Sequence, residues 1–259
     1  MRDVAIVVPA GGIGRRLGSR TPKQFLRLGS RTILALTVEH FTRHPAVSAV
    51  VVAAPALHLA TTRRALAQIR RAGCVQVVAG GAERQESVWL GLQAVPADAA
   101  VIVVHDAVRP FITRALVDRV VAAARSGGGA ICALPIAETV KRVRDAVVEG
   151  TIDRTALWAV QTPQAFRAEL LREAHEKARR DGFLGTDESM LVERLGHPVA
   201  VVPGLPDNVK ITTPADLTRA QRATRGPRQS RGSGPPRARA ARGSRQPSGR
   251  AKPGSPRVP

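Results

Sequence analysis

Residues 4–18 read VAIVVPAGGIGRRLG: an apolar run, Val4–Pro9, leads directly into a glycine cluster. An all-apolar run of this length is typical of a strand buried on both faces of a parallel sheet. Glycines directly after such a strand let backbone N–H groups approach a ligand closely and form an anion-binding nest. Arg15, Arg16 and, further along, Lys23 add positive charge. The stretch therefore predicts a loop that holds a polyphosphate.

This loop matches neither of two familiar phosphate-binding patterns. A P-loop needs a lysine directly after its last glycine, and none follows here. The dinucleotide pattern G-x-G-x-x-G is incomplete because Leu17 occupies the place of the third glycine. A plain strand-to-helix turn would also explain the glycines. The adjacent arginines and the Lys23 of Thr-Pro-Lys-Gln favour the phosphate interpretation.

The rest of the chain alternates apolar runs with amphipathic segments. This alternation predicts an α/β fold with a doubly wound, mostly parallel sheet. The further predicted strands are 47–53, 75–78, 101–104, 130–135, 199–203 and 208–212. The predicted helices are 32–44, 57–72, 83–94, 113–126, 168–180, 187–195 and 214–224. We expect residues 155–164 to form a structured connection, and Trp158 and Trp89 to lie in the core.

The alternation breaks at Ala137, where 139–143 and 146–154 predict a β-hairpin. We call residues 137–157 the arm. An isolated two-stranded ribbon is marginally stable in water, so we expect the arm to pack on a partner subunit. Folding back onto its own domain is the alternative.

Composition separates the chain into two parts. The formal net charge is +20, but residues 222–259 carry eleven Lys and Arg and no acidic residue, which leaves 20 − 11 = +9 for the rest. We predict a folded domain over 1–224 and a disordered basic tail, rich in Pro, Arg, Ser and Gly, over 225–259. The tail could bind nucleic acid non-specifically, and a nucleic-acid-binding protein without turnover is therefore a rival hypothesis.

The cysteines and the apolar runs indicate the compartment. Cys74 and Cys132 lack metal-ligand spacing, which favours reduced thiols. No run approaches the roughly 18 apolar residues of a membrane span, and no signal peptide is evident. We expect a soluble, cytoplasmic protein that does not interact with membranes.

Four clusters follow predicted strand ends, at 9–16, 80–87, 105–109 and 208–212. Ligands of open α/β sheets bind beyond the carboxyl ends of the strands, so these clusters should surround one crevice. Asp106 has two interpretations: it pairs with Arg109 or caps a helix, or it lies close to a phosphate-bound Mg²⁺ or a substrate hydroxyl. We do not expect His105 to act as a base.

These motifs together resemble a known family. The blocks are Pro9-Ala10-Gly11-Gly12-x-Gly14-x-Arg16, Pro22-Lys23-Gln24, Gly80-Gly81-x-x-Arg84-x-x-Ser87, Val104-His105-Asp106-Ala107-x-Arg109-Pro110, Asp153-Arg154, Thr162-Pro163-Gln164, Thr186-Asp187-Glu188 and Asp207-Asn208-x-Lys210. In this order, over about residues 3–220, they resemble the 2-C-methyl-D-erythritol 4-phosphate cytidylyltransferases of non-mevalonate isoprenoid biosynthesis.

The resemblance implies a Rossmann-like nucleotidyltransferase fold and a reaction. CMP would pass from CTP to 2-C-methyl-D-erythritol 4-phosphate, giving pyrophosphate and 4-diphosphocytidyl-2-C-methyl-D-erythritol, with Mg²⁺ as cofactor. It also implies a homodimer that exchanges its arms. Another polyol phosphate, such as ribitol 5-phosphate, is the alternative acceptor.

The resemblance also implies roles for individual residues. Those that act on the α-phosphate or align the acceptor would be Arg16, Lys23, Arg154 and Lys210. Those that bind the nucleotide would be Pro9, Ala10, Gly11, Gly12, Gly14, Gly80, Gly81, Ala82, Arg84 and Ser87. Those that bind the acceptor would be Asp106, Arg109, Thr139, Arg154, Thr162 and Lys210. Asp106 would hold the metal unless the triphosphate does. Gly11 and Ala82 depart from the Ala and Asp common at these positions.

Overall fold

The computed structural model describes residues 2–12 and 21–225 of the 259-residue chain. Its strands are β1 Val4–Pro9, β2 Arg27–Leu28, β3 Arg31–Thr32, β4 Val47–Ala54, β5 Val75–Ala79, β6 Val101–Val104, β7 Gly129–Pro135, β8 Val140–Arg144, β9 Val147–Ile152, β10 Trp158–Arg167 and β11 Ala200–Pro203. Its α-helices are α1 Ile33–Thr42, α2 Leu59–Leu66, α3 Arg84–Leu92, α4 Arg114–Gly127, α5 Ala168–Arg180, α6 Glu188–Glu193 and α7 Pro214–Arg225.

The central sheet has seven strands in the order β11-β7-β10-β6-β1-β4-β5. Strand β1 pairs in parallel with β4 on one side and with β6 on the other. Strand β10 runs antiparallel to both of its neighbours, β6 and β7. The predicted mostly parallel sheet is therefore confirmed, with one reversed strand inside it.

Strand β1 is apolar because both faces of the sheet are covered. Val4, Ile6 and Val8 point into the core beneath α1 and α4. Ala5 and Val7 point into the core beneath α3, α5 and α6. This alternation is what a strand with two buried faces requires, and it confirms the doubly wound arrangement.

Several element boundaries differ from the prediction. The helix predicted over 57–72 is an α-helix only over Leu59–Leu66, and Arg71 has a left-handed backbone (φ 59°). Residues 208–212 are not a strand. The predicted connection at 155–164 is mostly strand β10, in the interior of the sheet. Trp158 is 44% exposed, so the expectation that it lies in the core was wrong.

The hairpin predicted for the arm is confirmed. Strands β8 and β9 form a two-stranded sheet of their own, and the Asp145-Ala146 turn has positive φ at both residues. Positive φ at both central residues is characteristic of a tight hairpin turn. The valines of the arm are exposed, with Val147 at 66% and Val148 at 57%.

The described residues contain no α-helix with the length and apolar character that a membrane crossing needs. Cys74 and Cys132 are both free thiols. Burial raises the pKa of the Cys132 thiol to about 12, so this side chain is an inert part of the core.

Candidate functional site

A cavity of about 210 Å³ opens at the carboxyl ends of β1 and β6. Open α/β sheets bind ligands at such a place, where the chain turns to opposite sides of the sheet. The cavity is lined by Pro9, Ala10, Gly11, Gly12, Lys23, Gln24, Gly81, Ala82, Glu83, Arg84, Ser87, Asp106, Ala107, Val108 and Lys210. The fold thus brings together most of the residues predicted to bind the nucleotide. Gly14 and Arg16 lie outside the described residues.

Glycines of the two loops at this cavity lie close to side chains, although Gly80 itself does not line it. A Cβ atom on Gly12 would lie 3.2 Å from the Cε of Lys23, and one on Gly80 would lie 2.8 Å from the Oγ of Ser87. The Gly81 N–H donates to that same Oγ at 3.2 Å. A larger residue at Gly80 would therefore displace Ser87, whereas at Gly12 only the flexible end of Lys23 would have to move.

The residue after Lys23 is held by the glycine loop. Gln24 is buried and its Nε2 donates to the carbonyl oxygen of Ala10 at 2.7 Å. Lys23 precedes it in a short 3-10 helix and lines the cavity. The contact therefore fixes the backbone that carries Lys23 against the end of β1.

A second cavity of about 220 Å³ adjoins the first and shares three of its lining residues, Arg84, Asp106 and Lys210. Its remaining lining is Arg109, Val160, Gln161, Thr162, Gln164, Thr186 and Asp187. Most of these residues lie on β10 or on the segment before α6. Two adjoining cavities with a charged boundary suit two ligands that react with each other.

Asp106 is the centre of that boundary. Its Oδ2 accepts from Arg109 Nε at 3.0 Å and lies 3.1 Å from Lys210 Nζ, and its Oδ1 is 3.7 Å from Arg84 Nε. Burial alone would raise the pKa of this carboxyl, but Lys210, Arg84 and Arg109 outweigh it and hold the pKa well below its usual range. Asp106 is therefore ionised, and its pair with Arg109, one of the two interpretations that the sequence left open, is present.

The segment after β11 places Lys210 although it is not a strand. Asn208 is fully buried, and its Nδ2 donates to the carbonyl oxygen of Thr162 at 2.8 Å. Arg109 donates to the carbonyl oxygen of Asn208 at 2.8 Å. The Ile211 N–H donates to the carbonyl oxygen of Val108 at 3.0 Å. These bonds on both sides of Lys210 fix its backbone beside Asp106.

Two predicted residues lie elsewhere. Thr139 and Arg154 belong to the arm and line neither of the two cavities. Both are exposed, and Arg154 donates to the carbonyl oxygen of Ala137 at the base of the arm. Within one described chain they do not meet the remaining predicted site residues.

His105 is not suited to act as a base. It is fully buried, and burial lowers the pKa of its imidazole to about 4 despite a contact with the Arg109 carbonyl oxygen. Its ring packs edge-on against Phe41. It is a neutral core residue, as expected from the sequence.

Sequence reasoning assigned no role to Glu188, which proves to be the main partner of Arg84. Two parallel hydrogen bonds of 2.8 Å join the Arg84 guanidinium to the Glu188 carboxylate. The Thr186-Asp187-Glu188 motif was visible, but its partner lies more than a hundred positions away. Only the fold reveals this pair.

The described residues contain no group of three or more His, Cys, Asp and Glu side chains that could hold a metal ion. Four cationic side chains line the cavities, Lys23, Arg84, Arg109 and Lys210, together with the acidic Glu83, Asp106 and Asp187. Such a set can bind phosphates and stabilise negative charge as it develops.

Comparisons with known proteins identify the family. The family model described as 2-C-methyl-D-erythritol 4-phosphate cytidylyltransferase matches residues 4–225. A curated protein of that name from Geobacter metallireducens is 46% identical over 222 residues, which cover 84% of this chain and 96% of that protein. Another from Syntrophotalea carbinolica is 43% identical over 221 residues, or 85% and 95% of the two chains.

A solved structure gives the same result for the fold. The chain resembles the crystal structure of 2-C-methyl-D-erythritol 4-phosphate cytidylyltransferase from Thermus thermophilus with a TM-score of 0.72 and 37% identity. The likeness covers 86% of this chain and 99% of that one. By sequence, by fold and by the lining of its cavities, this chain belongs to the 2-C-methyl-D-erythritol 4-phosphate cytidylyltransferase family.

Proposed function

We propose that the two adjoining cavities are the active site in which this nucleotidyltransferase moves CMP from CTP to 2-C-methyl-D-erythritol 4-phosphate. The products are pyrophosphate and 4-diphosphocytidyl-2-C-methyl-D-erythritol, an intermediate of isoprenoid biosynthesis. One observation carries the proposal: Lys23 and Lys210, from opposite ends of the folded chain, line the same cavity beside a glycine loop.

The first cavity takes the nucleotide. Pro9, Ala10, Gly11 and Gly12 approach the triphosphate with their backbone, and Gly14 and Arg16, outside the described residues, join them by motif. The second loop supports the base with Gly80, Gly81, Ala82 and Ser87, where Ala82 replaces the family's common Asp. The backbone N–H of Ala82 donates to Glu86 Oε2 at 2.8 Å, so the Glu86 carboxylate lies beside the position that the Asp would occupy.

The second cavity takes the acceptor. Asp106, Arg109 and Thr162 border it, and Lys210 lies where the two cavities meet. An ionised carboxylate held by three cations can accept a hydrogen bond from a polyol hydroxyl without becoming protonated. Lys210 is near enough to both cavities to contact an acceptor phosphate there.

The chemistry needs no general base. An oxygen of the acceptor phosphate is already anionic; it attacks the α-phosphorus of CTP, the bond to the β-phosphate breaks, and pyrophosphate leaves. Catalysis then depends on alignment and on stabilising the charge of the pentacoordinate phosphorus. Arg16 and Lys23 stabilise that charge, and Lys210 with Arg154 aligns the acceptor phosphate.

Mg²⁺ would be held mainly by the triphosphate of the bound nucleotide. The ion commonly binds through substrate phosphates and at most one or two carboxylates, and this donor set fits that habit. Asp106 is less suited as its ligand because Arg109 and Lys210 already occupy one carboxylate oxygen and Arg84 faces the other. When bound, the ion neutralises charge on the triphosphate and on the leaving pyrophosphate. In the Asp106→Asn variant, the Mg²⁺ concentration that gives half-maximal activity should then stay within about twofold of the value for the unaltered enzyme.

The functional unit is a homodimer that exchanges its arms. Val143 and Val148 are partners across the hairpin and both are exposed, and Val147 is exposed on the other face, so a second copy would cover apolar side chains of the arm. The partner's arm would carry Thr139 and Arg154 to the acceptor cavity. Mixing Arg154→Ala with Lys23→Ala chains should restore part of the activity that each has lost alone. Inactive mixtures with proven subunit exchange would contradict this arrangement.

The catalytic domain spans residues 1–224, and residues 225–259 form an appended tail. The match of the family to residues 4–225 supports this division. The two unpaired thiols, Cys74 and Cys132, support a reducing, cytoplasmic location.

The deciding experiment compares acceptors. With CTP and Mg²⁺, pyrophosphate release should require 2-C-methyl-D-erythritol 4-phosphate, and ribitol 5-phosphate should support less than about a tenth of that rate. A faster reaction with ribitol 5-phosphate would change the acceptor, and no release with either would reject the proposal.

A further inference from the structure

A buried carboxylate lies behind the boundary of the two cavities. The side chain of Glu188, the first residue of α6, is 1% exposed. It makes two parallel hydrogen bonds to Arg84, the first residue of α3. Glu188 itself lines neither cavity, whereas Arg84 lines both.

Arg84 has a second carboxylate within reach. Its Nε lies 3.7 Å from Asp106 Oδ1, which is beyond hydrogen-bond distance. The two-point contact with Glu188 is the stronger one because a guanidinium and a carboxylate match in shape. Two acidic residues therefore compete for one arginine, and Glu188 holds it.

This ion pair is not what attaches the two segments to each other. Gln85 Nε2 donates to the Phe183 carbonyl oxygen at 3.0 Å, and Gly185 N donates to Gln85 Oε1 at 2.8 Å. Asp187 caps α6 by accepting from Met190 N at 3.1 Å. Since neighbouring residues already fasten this segment to α3, the buried charge of Glu188 is free for another purpose.

The charges around Arg84 and Asp106 indicate a role for the Glu188 carboxylate. Asp106 is already paired with Arg109 and Lys210 on its other oxygen. A guanidinium released by Glu188 would rotate about its long side chain and close the 3.7 Å gap to Asp106. It would then pair with the Oδ1 that Arg109 and Lys210 leave unoccupied, and its N–H groups would lose their present orientation in the nucleotide cavity.

We propose that Glu188 is a positioning residue that holds the Arg84 guanidinium away from Asp106 and directs its remaining N–H groups toward the phosphates of CTP. The inference rests on the proposed function for the identity of this ligand. Glu188 contacts no reacting atom, so its effect is transmitted through Arg84 alone.

The test measures the Kd for CTP with Mg²⁺ by calorimetry, without any acceptor. Glu188→Gln keeps the volume of the side chain and removes its charge, and it should weaken CTP binding by between about tenfold and a hundredfold. Arg84→Ala should weaken it at least as much. The double variant Arg84→Ala/Glu188→Gln should bind CTP no more weakly than Arg84→Ala does.

Gln85→Ala is the matched control, because it breaks the neighbouring bonds between the same segments and leaves the ion pair in place. It should lower the melting temperature and leave the Kd for CTP unchanged. A purely structural role for Glu188 would give the same pattern for Glu188→Gln, and that result would overturn the proposal. Additive losses in the double variant would overturn it too.

The remaining outcomes are also informative. If Glu188→Gln does not fold, Glu188→Asp takes its place, because it keeps the charge and shortens the reach to Arg84. Weaker CTP binding at an unchanged melting temperature would support the proposal, and an unchanged Kd would overturn it. Absence of CTP binding by the unaltered chain would overturn both this inference and the proposed function. Normal CTP binding without product from 2-C-methyl-D-erythritol 4-phosphate would reject the acceptor and leave the role of Glu188 standing.

Discussion

Replacement of Lys210 by Gln separates catalysis from stability. Lys210 is one of three cations around Asp106, and its side chain is 39% exposed. After the substitution, Asp106 keeps Arg109 at 3.0 Å and Arg84 at 3.7 Å. The carboxylate therefore stays compensated, whereas the cavities lose one of the two described lysines that line them and the only one that lines both.

The structure sets the size of both effects. A half-exposed ion pair contributes at most about 1 kcal/mol to stability, and a loss of that size lowers the melting temperature of a domain this long by about 2–4 °C. The removal of one fixed donor that stabilises transition-state charge costs on the order of 10²–10³ in kcat, or about 3–4 kcal/mol. The activity loss should thus exceed the stability loss by at least about 2 kcal/mol.

The assay is pyrophosphate release at saturating CTP and acceptor, together with thermal unfolding of the same samples. Lys177→Gln is the control: Lys177 is 38% exposed and lies 2.9 Å from Asp181 Oδ2, in an ion pair on α5. It should match the change in melting temperature and keep full activity. A decrease in kcat of less than about threefold for Lys210→Gln, or an activity loss that follows unfolding in both variants, would refute the reasoning.

Three further predictions concern packing, pH and the tail. A Cβ atom on Gly91 would lie 2.7 Å from Val7 Cγ1, so Gly91→Ala should lower the free energy of unfolding in urea by about 1–3 kcal/mol. Gly73 has open space around it, so Gly73→Ala should change that free energy by less than about 0.5 kcal/mol. Burial, with a smaller contribution from Arg84, lowers the pKa of His175 to about 4. Between pH 6.5 and 4 the unfolded chain therefore takes up a proton that the folded chain does not, and the free energy of unfolding falls as the pH falls through this range. His175→Leu should therefore show a shallower decrease in melting temperature over this range; an unchanged slope would contradict this. Deletion of residues 225–259 should leave the rate of pyrophosphate release unchanged and abolish retention on immobilised DNA at low salt. A loss of activity would instead show that the tail contributes to catalysis.

Much of the fold was predictable because the apolar runs are unambiguous. Each of β1, β4 and β6 is a continuous run of mostly buried residues, and such runs occur mainly in covered parallel sheets. Strand β10 was missed because Pro163 lies in its middle, and proline argues against a central strand. The sheet accommodates it through a register shift between Gln161 and Gln164. Such an irregularity has no local signal in the sequence.

The candidate site was predictable only where the residues lie close to strand ends. Asp106 and Arg109 are three positions apart, so their ion pair could be expected from spacing alone. Glu188 lies on another element from its partner Arg84, and no periodicity or motif connects the two. The segment 208–212 was predicted as a strand because of its composition, but its backbone N–H groups bond within local turns or, at Ile211, to Val108 in the loop after β6. Tertiary contacts overrode local preference at that point.

The reversed direction of β10 determines where the arm can act. Strand β7 ends at the same edge of the sheet where β10 begins, with Pro135 opposite Trp158. Both ends of the hairpin are therefore joined to the edge of the sheet at which the two cavities open. A parallel successor to β7 would have required a crossover back to the far edge before the next strand could start. Because β7 and β10 hold both ends of the hairpin at this edge, residues near its base are fixed by the sheet, whereas its tip can lengthen or shorten without moving them.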